Sequence, residues 1–232
     1  MRESEARSYY LSRREDILDL YETHSRAWRP FVAQRYGDVF AQDIIEEARE
    51  ILEDLIPELP YIGGDDNPMT YHIVSCSTSL ALYKAMKARG KSAEETGKII
   101  YDAVAESVRH LPPNPPPTEA FLEKQRERAR ISQERRYPGD WVRDFVEGDG
   151  EDFDYGYDFY ECGTRKLYRA HGADAFTPFF CYLDFVTYRT AGWSFSRTKT
   201  LAEGHEKCNF RFKRGGETQK GWPPPFLQGD SG

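Results

Sequence analysis

Three of the four cysteines lie in the last third of the chain, and each has a carboxylate close to it in sequence. They are Cys162, Cys181 and Cys208, and the nearby carboxylates include Asp184 and Glu203. Cys181 and Asp184 stand three positions apart on an expected helix and therefore share one face. Cys162 lies where an expected strand gives way to a helix, and Glu203 and Cys208 bracket the turn between two expected strands. If the sheet packs on the helices, these groups meet.

A metal site is the first chemistry that such a set indicates. Zn²⁺ accepts thiolate, imidazole and carboxylate ligands, and a catalytic site keeps one position for water, which then loses its proton near neutral pH. We expect that a divalent metal, Zn²⁺ or Mn²⁺, is one option here. The candidate ligands are Cys162, Cys181, His205 and Cys208. Their spacing is loose and differs from the paired spacing of a zinc finger.

A nucleophilic thiol is the second chemistry. A thiolate at a helix N-terminus has a lowered pKa, and the expected position of Cys162 fits that description. A neighbouring carboxylate or histidine would then move the protons. A third interpretation is that these cysteines only pack in the core, since free cysteine is among the most buried residue types. Cys208 lies between inward-facing phenylalanines, and Cys76 lies on a small, serine-rich helical face that we interpret as structural.

The composition excludes several classes of function. Of the 232 residues, 39 are acidic and 32 are basic, and the formal charge is -7. Such a surface repels nucleic acid and anionic membrane. No apolar run approaches the roughly 20 residues of a membrane-spanning helix, and the first residues lack the apolar segment of a secretory signal. We therefore expect a cytoplasmic protein with reduced thiols.

The sequence pattern of the first part of the chain, residues 1–136, predicts a helical region. Ser8 or Ser12 is a candidate cap for a helix that Pro30 should kink or divide. Apolar residues at helical spacing follow and stop near Pro57. A further helix is expected from Asn67 and Pro68 to Gly90, and Ser92 is the expected cap of the next. The aromatic content of 14% indicates a partly aromatic core.

The second part, residues 137–216, predicts a β-β-α-α-β-β unit with an antiparallel sheet. The expected strands are 141–148, 152–162, 193–204 and 207–216, and the expected helices are 162–173 and 175–192. In the second strand, Asp152, Asp154 and Asp158 form an acidic face that we interpret as solvated. Residues 217–232 are predicted to be an irregular tail. The class is α+β, and the three regions are expected to form one compact domain overall.

Two segments of the second part resemble a known family. They are "YDFYECGTRKLYRAHGADAFTPFFCYLDF" and "RTKTLAEGHEKCNFRFKRGG". The pattern of Glu-Cys-Gly, Cys-x-x-Asp, Arg-Thr-x-Thr-x-Ala-Glu-Gly and Cys-[Asp/Asn]-Phe-Arg-Phe is similar to that of the L-2-amino-thiazoline-4-carboxylic acid hydrolase family. The resemblance covers about residues 137–216. Asn209 stands where the family more often has Asp. The order of elements is also similar to that of the 4-vinyl-reductase-like fold.

The resemblance implies a hydrolase that opens a small C–N/C–S heterocycle by adding water. Cys162, Cys181 or Cys208 would hold a metal or attack directly, and Asp184 and Glu203 would act as base and acid. Arg197 would pair in two-point fashion with a substrate carboxylate. Residues expected to contact the substrate are Arg197, Thr200 and Asn209.

Two other functions remain open at this point. One is a non-catalytic domain that binds a small ligand. The other is a lyase, isomerase or cyclase of a biosynthetic pathway that uses the same fold, because one fold hosts many chemistries. In each case we expect a small-molecule partner, no nucleic acid and no membrane, and a homo-oligomer is left open.

Overall fold

The computed structural model describes residues 3–112, 117–189, 193–215, 217–219 and 221–227. The expected end of a helix at Gly192, and residues 220 and 228–232 of the tail, lie outside these ranges. The α+β class and the order of elements are confirmed. The chain forms two compact units. The first comprises residues 1–103, 137–140 and 163–177, and the second comprises 104–136, 141–162 and 178–232.

The first unit is helical. Its helices are α1 (Glu3–Ser12), α2 (Arg14–Tyr36), α3 (Asp38–Leu55), α4 (Met69–Ala88), most of α5 (Ala93–Val108) and α7 (Gly163–Ala170). Short 3₁₀ turns occupy Ile56–Glu58, Gly64–Asp66 and Asp174–Phe176. Helix α6 (Glu119–Ser132) belongs to the second unit. No helix in the described ranges is both long and apolar enough to cross a membrane.

Of the two effects expected of Pro30, division of α2 does not occur, and a kink stays a prediction. The helix runs without interruption from Arg14 to Tyr36. Trp28 and Val32 flank the proline and are buried. Packing of this apolar face holds the helix together through a residue that removes one backbone hydrogen bond.

Helix caps agree with the sequence in two places and differ in one. Ser92 and Glu95 form a reciprocal capping box at the start of α5, with distances of 3.0 and 2.7 Å. The Asn67 side chain accepts a hydrogen bond from the backbone of Met69, 2.9 Å away, at the start of α4. Helix α2, however, starts after Arg13 without a side-chain cap, so neither Ser8 nor Ser12 has the expected role.

Cys76 lies in the core of the first unit, where α4 contacts α7. Its sulfur lies 3.1 Å from the Thr164 hydroxyl. The Tyr168 hydroxyl donates to the Cys76 carbonyl over 3.1 Å. These contacts agree with a packing role, in which a small side chain lets two helices approach closely.

The second unit is built on a four-stranded antiparallel sheet of order β1-β2-β4-β3. The strands are β1 (Val142–Glu147), β2 (Tyr155–Glu161), β3 (Trp193–Ser196) and β4 (Cys208–Arg214). Between β2 and β3 the chain forms α7, then α8 (Thr177–Cys181) and α9 (Leu183–Arg189), and 3₁₀ turns follow at Leu201–Glu203 and Pro225–Leu227. Helix α6 contacts β1 and α9 contacts β3.

One face of this sheet is aromatic. Tyr155, Tyr157 and Phe159 alternate along β2 and are buried, as the period-two pattern predicts. The rings of Tyr155 and Phe212, on adjacent strands, stack with centroids 4.9 Å apart. Gly156 lies between the tyrosines because an added Cβ would come within 2.4 Å of the Phe210 carbonyl oxygen.

The other face of β2 is not the solvated acidic face that was expected. Asp152 and Asp154 precede the strand and are exposed, but Asp158 is only 6% exposed. Its carboxylate lies 2.6 Å from the Lys207 ammonium and 2.9 Å from the Arg211 guanidinium. Two cations offset the cost of removing this carboxylate from water. The pairing depends on residues about 50 positions away, which the local pattern does not reveal.

Candidate functional site

A break in the predicted second helix shapes the site. Helix α8 ends at Cys181 and α9 begins at Leu183, so the expected continuous helix 175–192 is divided at Tyr182. The backbone of Phe185 donates to Tyr182 rather than to Cys181. The Cys181 carbonyl instead accepts a hydrogen bond from Arg197 Nη2 over 2.8 Å.

Arg197 joins the two sides of this break. It follows β3, and its Nη1 donates to Asp184 Oδ2 over 2.6 Å. The Arg197 side chain is only 2% exposed. Its guanidinium carbon lies 5.0 to 5.7 Å from the ring centroids of Phe185, Phe195 and Phe210. A cation so surrounded by aromatic faces is attracted to their π-electrons, and the rings keep water away.

Arg197 Nε is buried, and the structure gives it no hydrogen-bond partner among the described residues. A buried donor without a partner costs about 1–3 kcal/mol, so such groups are rare and each needs an explanation, of which a bound acceptor is one. The guanidinium carries five N–H donors, and the bonds to Asp184 and to the Cys181 carbonyl use two of them. An acceptor at Nε leaves both bonds in place, and the two-point pairing with a substrate carboxylate stays a prediction.

The thiols of Cys181 and Cys208 are protonated near pH 7. Burial raises the pKa of the Cys208 thiol to about 11, against a smaller opposing effect of the hydrogen bond that its sulfur accepts from the Leu201 backbone. Burial also raises the pKa of the Cys181 thiol well above its usual value, and the positive charge of Arg197 only partly offsets this. A preformed thiolate nucleophile needs the opposite shift.

Cys162 belongs to the same electrostatic cluster. Its charge contributes to raising the pKa of both the Cys181 and the Cys208 thiols, and Asp184 acts on them in the same direction. Cys162 and Asp184 therefore each act electrostatically on the two buried thiols. Cys162 directly precedes the first residue of α7 and is partly exposed, as its predicted position at a helix start implies. None of the four cysteines, all of which lie in the described ranges, forms a disulfide.

Other candidates from the sequence have structural contacts instead. The Thr200 side chain caps the 3₁₀ turn Leu201–Glu203, accepting from the Glu203 backbone over 3.0 Å and donating to its carboxylate over 2.7 Å. The Asn209 side chain holds the backbone of Thr198 and Lys199 over 3.0 and 2.7 Å. Glu203 is exposed. These three residues shape the β3–β4 connection, and their substrate and proton-transfer roles stay predictions.

The predicted metal ligands do not gather into a ligand set. Within the described residues, no group of three or more His, Cys, Asp or Glu side chains is placed to hold a metal ion. His205 is exposed on the β3–β4 connection. The residues present therefore do not fit the three-ligand zinc or manganese site that was one option.

Two tyrosines belong to the cluster and were missed. Burial raises the pKa of Tyr182 to about 12, and Glu203 adds to the shift while Arg197 opposes it. Burial also raises the pKa of Tyr188, with Asp184 as the next cause. Both phenols therefore remain proton donors near pH 7. Tyr182 stands between Cys181 and Asp184 in the sequence, and this position is the signal that could indicate its place in the cluster. The aromatic content by itself indicates only a core role.

Comparison with known proteins identifies one family. The sequence profile of the family described as L-2-amino-thiazoline-4-carboxylic acid hydrolase matches residues 70–212, more than half of the chain. This span begins in α4, ends in β4 and contains every residue predicted for the site. The comparison with curated proteins returns no match, and neither does the comparison with solved structures.

Proposed function

The chain belongs to the L-2-amino-thiazoline-4-carboxylic acid hydrolase family, and we propose that it hydrolyses a small cyclic amidine or isothiourea that carries a carboxylate. The observation that carries the proposal is the buried Arg197 guanidinium, which has an unused Nε beside Asp184 and the thiol cluster. The partner is thus a small molecule. A cytoplasmic location is part of the proposal, and the oligomeric state is left to measurement.

The reaction balances as the addition of one water molecule. For an aminothiazoline, the water oxygen bonds to the ring carbon of the C=N group, and the ring nitrogen takes up a proton. The tetrahedral carbon then expels the ring sulfur. The C–S bond breaks, the sulfur takes up the second proton, and the carbon becomes the carbonyl of a carbamoyl group.

In this proposal Asp184 accepts a proton and Arg197 donates a hydrogen bond to the substrate. Asp184 accepts the proton of the attacking water, and the bond from Arg197 Nη1 fixes the orientation of its carboxylate. Arg197 Nε donates to one oxygen of the substrate carboxylate, or to the oxygen on which charge develops. In the surrounding aromatic shell such a hydrogen bond is stronger than it would be in water.

The protonated thiols favour direct attack by water. With a pKa of about 11, only about 10⁻⁴ of the Cys208 thiol is ionised at pH 7. Cys162 offers the competing route, in which its sulfur bonds to the ring carbon and water later displaces it. The two routes differ in whether a covalent protein adduct exists, which mass spectrometry of protein quenched during turnover detects.

The test is turnover of 2-aminothiazoline-4-carboxylate in H₂¹⁸O. We expect N-carbamoyl-cysteine with one ¹⁸O in its carbamoyl group. Asp184→Asn should abolish most of this turnover. The matched control is Asp174→Asn, because Asp174 pairs with Arg169 over 3.0 Å outside the cluster. Equal turnover of Asp184→Asn and wild type would contradict the proposal.

The alternatives give different results in the same experiment. A non-catalytic domain that binds a small ligand would bind the thiazoline and release it unchanged. A lyase, isomerase or cyclase would leave the thiazoline unhydrolysed and convert another heterocycle to a product without ¹⁸O.

A further inference from the structure

The first unit contains an open cleft that is lined by acidic and aromatic residues. It has a volume of about 560 Å³ and is walled by the end of α1, the first turns of α2 and the start of α4. This volume is within the range of small-molecule sites. Ile17, Leu20 and Val74 contribute apolar surface, and Tyr9, Tyr10 and Tyr71 contribute aromatic rings.

One wall of the cleft is held by an internal charge pair. The Tyr9 hydroxyl donates to Asp65 Oδ1 over 2.8 Å, and Arg13 forms an ion pair with Asp65 Oδ2. The Arg13 guanidinium also lies 4.1 Å from the centre of the Tyr9 ring. At Gly64, where φ is +59°, an added Cβ would lie 2.9 Å from the Tyr9 ring. The positive charge of Arg13 is therefore already paired with Asp65 within this wall.

Two further carboxylates line the cleft. Asp16 and Asp19 lie three positions apart on α2 and so project from neighbouring positions on one face. Both are exposed, and both line the cleft. Within the described part of the chain, neither forms an ion pair with a Lys, Arg or His side chain. Because Arg13 and Asp65 cancel, the cleft presents a net negative charge beside aromatic surface.

We propose that this cleft binds a small organic cation with an aromatic body, such as a protonated arylalkylamine. The ammonium group would lie between Asp16 and Asp19, and the body would lie on the tyrosine rings and the apolar floor. Tyr71 is 59% exposed, so its ring is available for a cation–π or stacking contact. Charge complementarity selects an amine over a carboxylate of the same shape.

The position of the cleft separates it from the family activity. Most residues that line it precede residue 70, and only Thr70, Tyr71 and Val74 lie within the span that matches the family. The site is therefore a feature of this chain that the hydrolase assignment does not require. Its ligand also differs from the carboxylate-bearing substrate proposed above.

The test is isothermal titration calorimetry of the full chain with phenethylamine at low salt. Phenylacetate and 2-phenylethanol serve as the anionic and neutral probes of similar shape. We expect saturable binding of phenethylamine, at least fivefold weaker binding of 2-phenylethanol, and no detectable binding of phenylacetate. The affinity for phenethylamine should fall as salt is raised, since the carboxylates are exposed.

Variants locate the binding. The double variant Asp16→Asn/Asp19→Asn should weaken phenethylamine binding about fivefold or more, and Tyr71→Ala should weaken all probes that bind. The matched control is Asp43→Asn/Asp54→Asn, which makes the same charge change at exposed positions of α3. All of these residues are exposed, and circular dichroism checks that each variant is folded. Equal affinity of wild type and Asp16→Asn/Asp19→Asn, or equal binding of the three probes, would overturn the proposal whether or not the thiazoline is hydrolysed.

Discussion

Each unit of the molecule contains an arginine–aspartate pair with an aromatic neighbour, and the two pairs differ in exposure. In the first unit, the side chains of Arg13 and Asp65 are 35% and 73% exposed. In the second unit, those of Arg197 and Asp184 are 2% and 35% exposed. An exposed pair contributes about 0–1 kcal/mol to stability, whereas breaking a buried pair leaves a charge with neither water nor partner.

This difference separates two ways of making a binding surface. The pair in the first unit sets the shape of an open wall and leaves recognition to other carboxylates. The pair in the second unit lies in an aromatic shell, and Arg197 Nε has no hydrogen-bond partner within the described residues. Under the proposed function, the buried pair binds a specific acceptor, whereas the exposed pair only holds a wall of the cleft.

The largest effect is expected from Arg197→Met. The substitution removes the hydrogen bonds that Arg197 donates to the Asp184 carboxylate and to the Cys181 carbonyl. We expect a loss of about 2–4 kcal/mol in the free energy of unfolding, somewhat below the value for fully buried pairs because Asp184 retains some exposure. Urea denaturation followed by circular dichroism measures it. Arg13→Met is the control and should cost about 1 kcal/mol or less; equal losses would break the comparison.

Asp184→Asn should lower turnover of the thiazoline by about 10²-fold or more, the usual contribution of a general base. The size of the side chain is kept, so KM should change less than kcat. Steady-state kinetics measure both constants. Cys76→Ser, in the core of the first unit, should leave activity close to wild type. Loss of activity in Cys76→Ser alone would show that the cluster in the second unit does not carry the chemistry.

Cys208 should make stability depend on pH in the alkaline range. Its folded-state pKa is about 11, raised from 9.0 by burial, so the folded state keeps a proton that the unfolded state loses first. The resulting stability is present below pH 9 and is lost between pH 9 and 11, by about 2 kcal/mol. Urea denaturation at pH 8.5 and pH 10.5 should show a larger decrease in wild type than in Cys208→Ala. Parallel decreases would indicate that the thiol is solvated.

The smallest effect is expected from Asp65→Asn in the first unit. The loss of the exposed pair with Arg13 should cost about 1 kcal/mol or less in the free energy of unfolding. The cost should shrink further in 1 M NaCl, because salt screens exposed charges. Denaturation at two salt concentrations measures the difference. A large, salt-independent cost would mean that the first pair is structurally equivalent to the second.

The order of elements followed from local patterns. Alternating aromatics predicted β2, and Ser92 predicted the start of α5, where it forms the capping box with Glu95. Both predictions succeed because strand faces and helix caps depend on residues only a few positions apart. Local patterns did not predict the continuity of α2 through Pro30 or the burial of Asp158, because both depend on tertiary contacts.

For the candidate site, the sequence indicated the residues but not the bonds between them. Spacing and resemblance made Cys162, Cys181, Cys208 and Asp184 candidates, and their catalytic roles stay predictions. In the structure, Cys162 and Asp184 act electrostatically on the Cys181 and Cys208 thiols. The pairing of Asp184 with Arg197, and the protonated state of the thiols, depend on how deeply each group is buried. Burial depth is a property of the packed unit and has no local signature.

The break at Tyr182 has a consequence for how sequences of this kind can vary. Arg197 donates a hydrogen bond to the main-chain oxygen of residue 181, so this bond does not depend on the side chain at that position. The bond depends instead on the number of residues between that carbonyl and Asp184, since one inserted residue would turn a different peptide group toward the guanidinium. A chain that lost the thiol at position 181 would keep the arginine in place, whereas a chain that kept the thiol and gained one residue before Asp184 would lose it.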